Sequence, residues 1–231
     1  MKVSGRRDLN PGPLPPQGSA LPLRYAPIYG NEIKLVSDEI LKEPPASIQG
    51  GNIEIKILRM SRREKIERAM RNRQKDLALY LYKVSNPHNL SAIIRTAEAV
   101  GVPSIYFTME EDVPFEISSG VTMGAHKWVN LHEVEEPDSF LEEMKRKGFN
   151  LVATALRGDA IHFRNYDFTQ KTLIIMGNES RGLDEWVIEK ADYTIIIPMY
   201  GMVQSLNVSV AAAVILYEAL RQREEKGKYP G

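Results

Sequence analysis

The amino-acid sequence predicts an α/β fold, a mostly parallel sheet with helices on both faces, because an apolar strand followed by a polar turn and a helix occurs three times. The first occurrence is an apolar segment, Leu77–Lys83, followed by a polar turn, an apolar helix at Leu90–Val100 and a second strand at Ser104–Phe107. A strand, a helix and a strand in this order form a parallel pair with a right-handed crossover. The pattern recurs near the C-terminus, with strands Thr172–Met176 and Ile195–Ile197 and with helices Asp184–Lys190 and Ser205–Ala219.

Between these repeats the sequence predicts shorter elements. Gly148 ends one helix, since glycine adopts the left-handed backbone that is common at a helix C-terminus. Pro198 ends the last strand, because proline cannot donate to a sheet ladder. The shorter elements are a strand around Trp128–Leu131, the amphipathic helix Pro137–Lys147, the strand Asn150–Ala155 and a loop at Tyr166–Lys171.

The composition excludes several classes of protein. No apolar run reaches the ~20 residues that span a bilayer, and the N-terminus lacks the apolar segment of a signal peptide. The absence of cysteine excludes disulfides and thiolate chemistry and fits a reducing cytoplasm, which is the predicted location. The four histidines lack zinc-type spacing, so we expect no protein-bound metal. A net charge of zero argues against a uniformly basic surface and permits local basic patches.

Residues 1–59 differ from the rest of the chain. The stretch up to Gly30 is rich in proline and glycine and has neither strand nor helix periodicity, so it cannot build a core. We expect either a disordered tail or an extension that arises from a start codon assigned too far upstream, with Met60 as the natural start. The predicted organisation is this extension, a basic helix at residues 60–76 and one α/β domain at residues 77–231.

The segment Ser61–Lys75 is strongly basic. Its seven lysines and arginines are accompanied only by Glu64 and Glu67, and Ile66 with Met70 forms an apolar stripe at helical spacing. A basic helix ahead of a domain is suited to binding the phosphates of a nucleic acid. The alternative is a solvated surface helix, which is the usual role of such a charge run.

The glycine loop Gly177–Gly182 follows an apolar strand and precedes a helix, which is the frame of a phosphate-binding P-loop. That motif continues with lysine and then serine or threonine, whereas Leu183 and Asp184 stand at these positions. The lysine that would meet the phosphates is therefore missing, which excludes nucleotide hydrolysis. A dinucleotide-binding fold is poorly supported as well, because the chain contains no G-x-G triplet.

Polar side chains follow three of the predicted strands. Asn89 lies after the first strand, Glu179 lies in the glycine loop, and Ser205 with Asn207 precedes the last helix. Arg95 lies within an apolar helix, where an unpaired arginine is costly to bury, so it should bind an anion or extend outward. Ligands of open α/β sheets bind at the carboxyl ends of the strands. We therefore expect these side chains to form one site, although a capped core helix would also explain Ser205 and Asn207.

The three clusters resemble the three motifs of the TrmH family, in the SPOUT superfamily of knotted methyltransferases. The matching stretches are NPHNLSAIIRTAEAVGV, IMGNESRGL and IPMYGMVQSLNVSVAAAVILYEA. The resemblance runs from about Met60 to the end of the chain and includes RNRQKDL, SSG, HKWV and FRNYDFT. It implies that the C-terminal segment is threaded through a loop into a deep trefoil knot. General topology rules would not predict this, because true knots are almost absent from proteins.

The resemblance also implies a methyl donor. S-adenosylmethionine is expected to bind against the backbone of the knot loops, which would explain the absence of a G-x-G triplet. The family dimerises through knot helices, and the apolar segment Val208–Leu216 fits a homodimer. The implied cofactor contacts are Thr154, Ala155, Leu156, Gly177, Ile197, Met199, Ser205 and Leu206.

The implied reaction is methylation of the ribose 2′-hydroxyl of a guanosine in the tRNA D-loop, guanosine-18. Arg95 matches the arginine that is thought to activate this hydroxyl. Because arginine is effectively always protonated, we expect Arg95 to bind the substrate phosphate and to stabilise the forming alkoxide. The resemblance implies that the ribose, the methyl donor and Arg95 are oriented by Asn89, Glu179, Ser205 and Asn207.

The expected substrate, tRNA, would be held by basic residues on both sides of the knot. The predicted phosphate contacts are Arg63, Arg71, Arg73, Lys127, Arg221 and Arg223. Two alternatives stay open. One is a ribosomal RNA ribose methyltransferase of the same superfamily, and the other is a non-catalytic RNA-binding knot protein. Retention of Arg95, Glu179 and Asn207 argues against the second.

Overall fold

The computed structural model describes residues 60–230, and the predictions made for residues 1–59 lie outside this range. Within it, seven strands form a single sheet. In chain order they are β1 Leu77–Val84, β2 Ser104–Met109, β3 Asn130–Glu133, β4 Asn150–Thr154, β5 Ile161–His162, β6 Thr172–Met176 and β7 Tyr193–Ile196. Their order across the sheet is β3-β2-β1-β6-β4-β7-β5, and each neighbouring pair is parallel. The predicted α/β fold with a parallel sheet is confirmed.

Helices cover both faces of this sheet, as predicted. They are α1 Arg62–Arg71, α2 Pro87–Ala99, α3 Ser119–Thr122, α4 Pro137–Arg146, α5 Glu185–Lys190 and α6 Val208–Glu225. Alternate residues of β1 belong to different apolar clusters, with Leu79 on one face and Tyr80 on the other. The first cluster includes α2 and α6, and the second includes α4 and α5. Burial on both faces explains why β1 and β6 read as continuous apolar runs and not as alternating ones.

Three helices begin elsewhere than predicted, and the last of them, α6, begins at Val208 and not at Ser205 because Asn207 is its N-cap. In α2 the side chain of Asn86 accepts a hydrogen bond from the backbone N–H of His88, and Pro87 occupies the first turn. The helix therefore begins three residues before the predicted start at Leu90. Proline is favoured at a first helical position because its ring presets the backbone and its missing N–H is not needed there. α1 is shorter than the segment Ser61–Lys75. Ser61 is its N-cap and forms a capping box with Glu64, and Asn72 is its C-cap.

Several strands also differ from the prediction. Trp128 and Val129 precede β3 and close a 3-10 turn at Ala125–Lys127. β7 begins two residues earlier than expected, and β5 was not predicted at all. A two-residue strand carries too little periodicity for sequence reasoning to detect.

The strand order departs from the chain order in the C-terminal half. β6 lies between β1 and β4, and β7 lies between β4 and β5, so later strands are inserted among earlier ones. The carboxyl ends of β1, β6, β4 and β7 are consequently adjacent at one edge of the sheet. This order is compatible with a threaded C-terminal segment, and the trefoil knot stays a prediction. Among the described residues, no helix combines the length and apolar character needed to cross a bilayer.

Candidate active site

Three of the predicted catalytic residues, Asn89, Glu179 and Asn207, meet at the carboxyl edge of the sheet. β1 and β6 are neighbours, with Leu81 opposite Met176, so the segments that follow them leave the sheet side by side. The first segment leads into α2, and the second is the glycine loop. The N-terminus of α6 reaches the same place, because Asn207 contacts Asn89.

Glu179 connects the first two motifs. One carboxylate oxygen accepts hydrogen bonds from the Ser85 hydroxyl at 2.6 Å and from the Ser85 backbone N–H at 3.2 Å. The other oxygen accepts a hydrogen bond from the Asn89 amide at 3.0 Å. Partial burial raises the pKa of Glu179, but the hydrogen bonds from Asn89 and Ser85 outweigh it and hold this pKa below its ordinary value. Glu179 is therefore an ionised acceptor near neutral pH.

Asn207 connects the third motif to the first. Its amide nitrogen donates to the side-chain oxygen of Asn89 at 3.1 Å. Its own side-chain oxygen accepts from the backbone N–H of Ser209 at 2.8 Å and from the Ser209 hydroxyl at 2.6 Å. Asn207 is thus the N-cap of α6 and a partner of Asn89 at once. The capping explanation is confirmed, and the role of Asn207 in a ligand site stays a prediction that the contact with Asn89 supports.

Ser205 lies beside this network without joining it. It is exposed, and no other described residue forms a hydrogen bond with its hydroxyl. A free hydroxyl two residues before the cap of α6 is available to a ligand. The loop that carries it is also exposed, since Tyr200 and Met202 are 94% and 99% accessible.

Arg95 is not part of the network within one protomer. It is exposed and has no hydrogen bond or ion pair with another described residue. It follows Asn89 by six positions on α2, which in an α-helix corresponds to about 9 Å along the axis and about 120° around it. The two side chains therefore leave α2 from different sides. The predicted proximity of Arg95 to the other motifs stays a prediction for the single chain.

The predicted cofactor contacts lie at three adjacent strand ends. Thr154, Gly177 and Ile197 follow or end β4, β6 and β7, whose order in the sheet is β6-β4-β7. Gly177 has no room for a side chain, since a Cβ there would lie 2.2 Å from the carbonyl carbon of Gly182. Two groups are already used within the fold, because the Thr154 hydroxyl donates to Ile175 O and the Ala155 N–H donates to Ile195 O. The other predicted contacts are the exposed Leu156 and Ser205 and the half-buried Met199 and Leu206.

Two of the predicted RNA contacts are corrected by the structure. The side chain of Arg223 is fully buried and donates to Asp76, Gln74 and the backbone oxygens of Phe168 and Gln170. The Arg73 side chain is 7% exposed and donates to Trp128 O at 2.7 Å. Both arginines hold the fold together, so neither presents its guanidinium to a phosphate. Arginine side chains bury well when every N–H is satisfied, and this pattern cannot be read from the sequence alone.

The remaining predicted RNA contacts fall into two groups. Arg71 and Lys127 are exposed and have no ion pair with a described residue. Arg63 and Arg221 are exposed but paired, with Glu67 and with Glu218 and Glu225 respectively. Pairing lowers the attraction of a cation for phosphate, so Arg71 and Lys127 are the better candidates.

Sequence reasoning missed two residues of the site. Ser85 provides two of the three hydrogen bonds to Glu179, and Asn178 ties the glycine loop to β1 and β2. Both adjoin residues that were predicted, and proximity in sequence to Glu179 or Asn89 was the available signal. The described residues contain no group of histidine, aspartate and glutamate side chains arranged to hold a metal ion.

Comparison with known proteins gives this geometry a context. The profile of the SpoU rRNA methylase family matches residues 76–217. The tRNA (guanosine(18)-2′-O)-methyltransferase of Aquifex aeolicus is 48% identical over 168 residues, which cover 73% of this chain and 80% of that protein.

Solved structures of SpoU-type methyltransferases are also similar to this chain. The A. aeolicus TrmH/SpoU tRNA modifying enzyme superposes with a TM-score of 0.69 at 47% identity, covering 72% of this chain and 85% of that one. The SpoU methyltransferase AviRb from Streptomyces viridochromogenes, in complex with the cofactor AdoMet, superposes with a TM-score of 0.59 at 33% identity. The superposition covers 66% of this chain and 62% of that one.

Proposed function

The chain belongs to the SpoU rRNA methylase family, and we propose that it methylates the ribose 2′-hydroxyl of guanosine-18 in the D-loop of tRNA. The observation that carries this proposal is the hydrogen-bonded series Ser85, Glu179, Asn89 and Asn207, which joins all three motifs at one edge of the sheet. The name of the A. aeolicus relative supplies the substrate and the nucleotide.

S-adenosylmethionine is the methyl donor and supplies an electrophilic methyl group on a sulfonium centre. The residues present fit it. The ends of β4, β6 and β7 are adjacent, the glycine loop packs tightly against Gly177, and Leu156, Met199 and Leu206 offer apolar surface. We assign the binding of the adenosyl group to this backbone and these side chains. The Thr154 hydroxyl and the Ala155 N–H fix the end of β4 to its neighbours, since they donate to Ile175 O of β6 and to Ile195 O of β7.

The acceptor hydroxyl is a poor nucleophile, so the site must favour its loss of a proton. Arg95 has no partner among the described residues, so its guanidinium is available to bind the adjoining phosphate and to stabilise the developing alkoxide. Glu179 is committed to Ser85 and Asn89, so its role is to orient Asn89. Asn89 keeps one amide hydrogen beyond its bond to Glu179, and Ser205 keeps its hydroxyl. These two groups are free to position the ribose.

We infer that the active enzyme is a homodimer in which Arg95 of the partner subunit completes each site. An apolar strip of α6 has helical spacing and lies open, with Val210 and Tyr217 exposed and Ala213 and Val214 partly exposed. Tyr200 and Met202, in the loop that precedes α6, are further exposed apolar side chains. α6 packs against α2, the helix of Arg95, within the first apolar cluster. A two-fold contact on this strip would therefore carry Arg95 of one subunit toward the other subunit's site.

The tRNA is held by α1 and the Lys127 region. Lys65, Arg68 and Arg71 follow each other at three-residue spacing, so they form one line of cations along α1. None of them is paired with a described residue. Such contacts bind any phosphate backbone and position the RNA without reading its sequence. We place this activity in the cytoplasm, where tRNA is modified.

Methyl acceptance by two purified RNAs tests the proposal. An unmodified tRNA transcript and a ribosomal RNA fragment are each incubated with the protein and S-adenosylmethionine that carries a labelled methyl group. We expect labelled 2′-O-methylguanosine in the tRNA alone. Because the family profile is described by ribosomal RNA, label in the ribosomal fragment alone would favour that substrate instead.

A further inference from the structure

The glycine loop is held closed by its second residue. The backbone N–H of Asn178 donates to Gly182 O, and Gly182 N–H donates to Asn178 O, each at 2.9 Å. Gly182 adopts a left-handed φ of 71°, which a glycine accepts without strain. This closure leaves Glu179, the next residue, at the side of a short rigid loop.

The side chain of Asn178 is 7% exposed and uses its full hydrogen-bonding capacity. Its oxygen accepts from the backbone N–H groups of Ser180 at 2.9 Å and Arg181 at 3.1 Å. Its amide nitrogen donates to Lys83 O at 2.8 Å and to a carboxylate oxygen of Glu110 at 2.6 Å. The loop is therefore fixed to the ends of both β1 and β2.

Lys83, whose carbonyl oxygen accepts from Asn178, has an unusual backbone conformation. It is a non-glycine residue with a φ of 54°, a conformation that costs free energy and persists only when the surroundings enforce it. The register between β1 and β2 shifts at this point. The ammonium group of Lys83 donates to a carboxylate oxygen of Asp184 at 2.7 Å, and the Tyr82 hydroxyl donates to the same oxygen. The exit of β1 is thus tied to both ends of the glycine loop.

Glu110 anchors the other side of the loop. One of its oxygens accepts from Asn178, and the other forms an ion pair with Arg181. Glu110 shares no hydrogen bond with the partners of Glu179, since Ser85 and Asn89 are bonded to Glu179 and not to Glu110. It therefore acts on the loop and not directly on the site.

We propose that Asn178 is a positioning residue. Its hydrogen bonds to Lys83 O and Glu110 fix the glycine loop so that the Glu179 carboxylate can accept from Ser85 and Asn89. The inference rests on the proposed function, because Glu179 matters only if the three-motif site transfers the methyl group. A shift of the loop by about 1 Å would break the bonds of Glu179 and can cost about 100-fold in turnover.

The test is Asn178→Asp, which keeps shape and removes the donor. At neutral pH the new carboxylate faces Glu110 and Lys83 O, both acceptors, so we expect kcat to fall roughly 10- to 100-fold with little change in KM for tRNA. The charged groups around it are Glu110, Arg181, Lys83, Asp184 and Glu179. Two close carboxylates share a proton readily, so the ratio of variant to wild-type kcat should rise as pH falls from about 8.5 to about 5.5.

Rescue provides a second readout. When Asn178→Asp is combined with Glu110→Gln, the new glutamine can donate to the introduced carboxylate in place of the lost amide, so kcat should recover in part and the pH trend should weaken. The matched control is Asn130→Asp, an exposed change at the start of β3, which should leave kcat unaltered. A wild-type kcat in Asn178→Asp, or a loss with neither a pH trend nor rescue, would overturn the inference.

If Asn178→Asp does not fold, Glu110→Ala carries the test. It removes one anchor of Asn178, and we expect kcat to fall on the order of tenfold while cofactor binding is kept. A wild-type kcat would contradict the inference. Failure of the proposed function looks different, because wild-type protein would then transfer no methyl group to tRNA in the first place.

Discussion

The side chains of Asn89 and Asn207, 118 positions apart in sequence, are joined by a 3.1 Å hydrogen bond. This bond brings the first and third motifs together, and the bond from Asn89 to Glu179 adds the second. Asn89 is therefore the centre of the site, contacted from the glycine loop on one side and from the N-terminus of α6 on the other.

Asn207→Asp should separate capping from catalysis. Aspartate keeps the oxygen that accepts from Ser209 and caps a helix about as well as asparagine, but it cannot donate to Asn89. We expect an almost unchanged melting temperature and a loss of roughly tenfold or more in methyl transfer. Asn207→Ala, the comparison variant, should also lose about 1 kcal/mol of stability. Full activity in Asn207→Asp would show that the Asn89 contact is dispensable.

Arg95→Ala should keep the fold and cofactor binding and lose methyl transfer. Because Arg95 is exposed and unpaired, its removal breaks no contact between described residues. Removing a group that stabilises developing charge typically lowers kcat by ~100-fold or more. Isothermal titration with S-adenosylmethionine and a transfer assay on tRNA measure both quantities. Arg146→Ala, an exposed arginine of α4, is the control. Near wild-type turnover in Arg95→Ala would refute the role of Arg95.

The same variant tests whether Arg95 acts across the dimer. Arg95→Ala and Glu179→Ala are each expected to be inactive, and mixing equal amounts after dissociation gives a population in which about half of the dimers contain one subunit of each kind. If Arg95 serves the partner's site, one site of each mixed dimer is intact, and about a quarter of wild-type activity returns. If Arg95 serves its own site, both sites of the mixed dimer stay defective. Absence of any recovery would place Arg95 within its own protomer.

Arg71→Ala and Lys127→Ala should weaken tRNA binding through charge alone. Each is exposed and unpaired, so each loss should lower the slope of log affinity against log salt by about 1. Affinity for S-adenosylmethionine should not change. Arg146→Ala again provides the matched control. Unaltered salt slopes in both variants would return α1 to the role of a solvated surface helix.

Acid should destabilise the fold through Asp76. Partial burial raises the pKa of Asp76, but hydrogen bonds from Lys228 and Arg223 outweigh it and lower this pKa. A lowered folded-state pKa means that ionised Asp76 stabilises the fold above about pH 4, and that this stabilisation is lost as pH falls through the folded pKa. Denaturant unfolding between about pH 6 and pH 3 should show a shallower fall for Asp76→Asn than for wild type. Identical slopes would exclude this contribution.

Much of the fold follows from periodicity. Runs such as Leu77–Val84 and Thr172–Met176 are long, apolar and bounded by turns, so their strands were predicted almost to the residue. β5 and the start of β3 were not, because two to four residues on a sheet edge carry no distinct pattern. The order β1-β6-β4-β7 lies beyond any local signal, since it depends on which strands pair across the chain.

The site was predictable where polar residues follow strands, and less so where burial decides the role. Asn89, Glu179 and Asn207 are in contact as a group, as their position after strands indicated. Arg223 and Arg71 are both arginines in basic segments. Arg223 is buried and donates a hydrogen bond to Asp76, whereas Arg71 is exposed. Only the tertiary partners distinguish them, so sequence reasoning treated both as RNA contacts.

The most direct test of the account replaces guanosine-18 of a tRNA by 2′-deoxyguanosine, using a transcript ligated from two pieces, and measures methyl acceptance. The ligated control with guanosine-18 should accept about one methyl group per molecule in the form of 2′-O-methylguanosine, and the deoxy tRNA should accept none while still binding. Equal methylation of the two tRNAs would contradict the central claim that the site acts on this ribose hydroxyl.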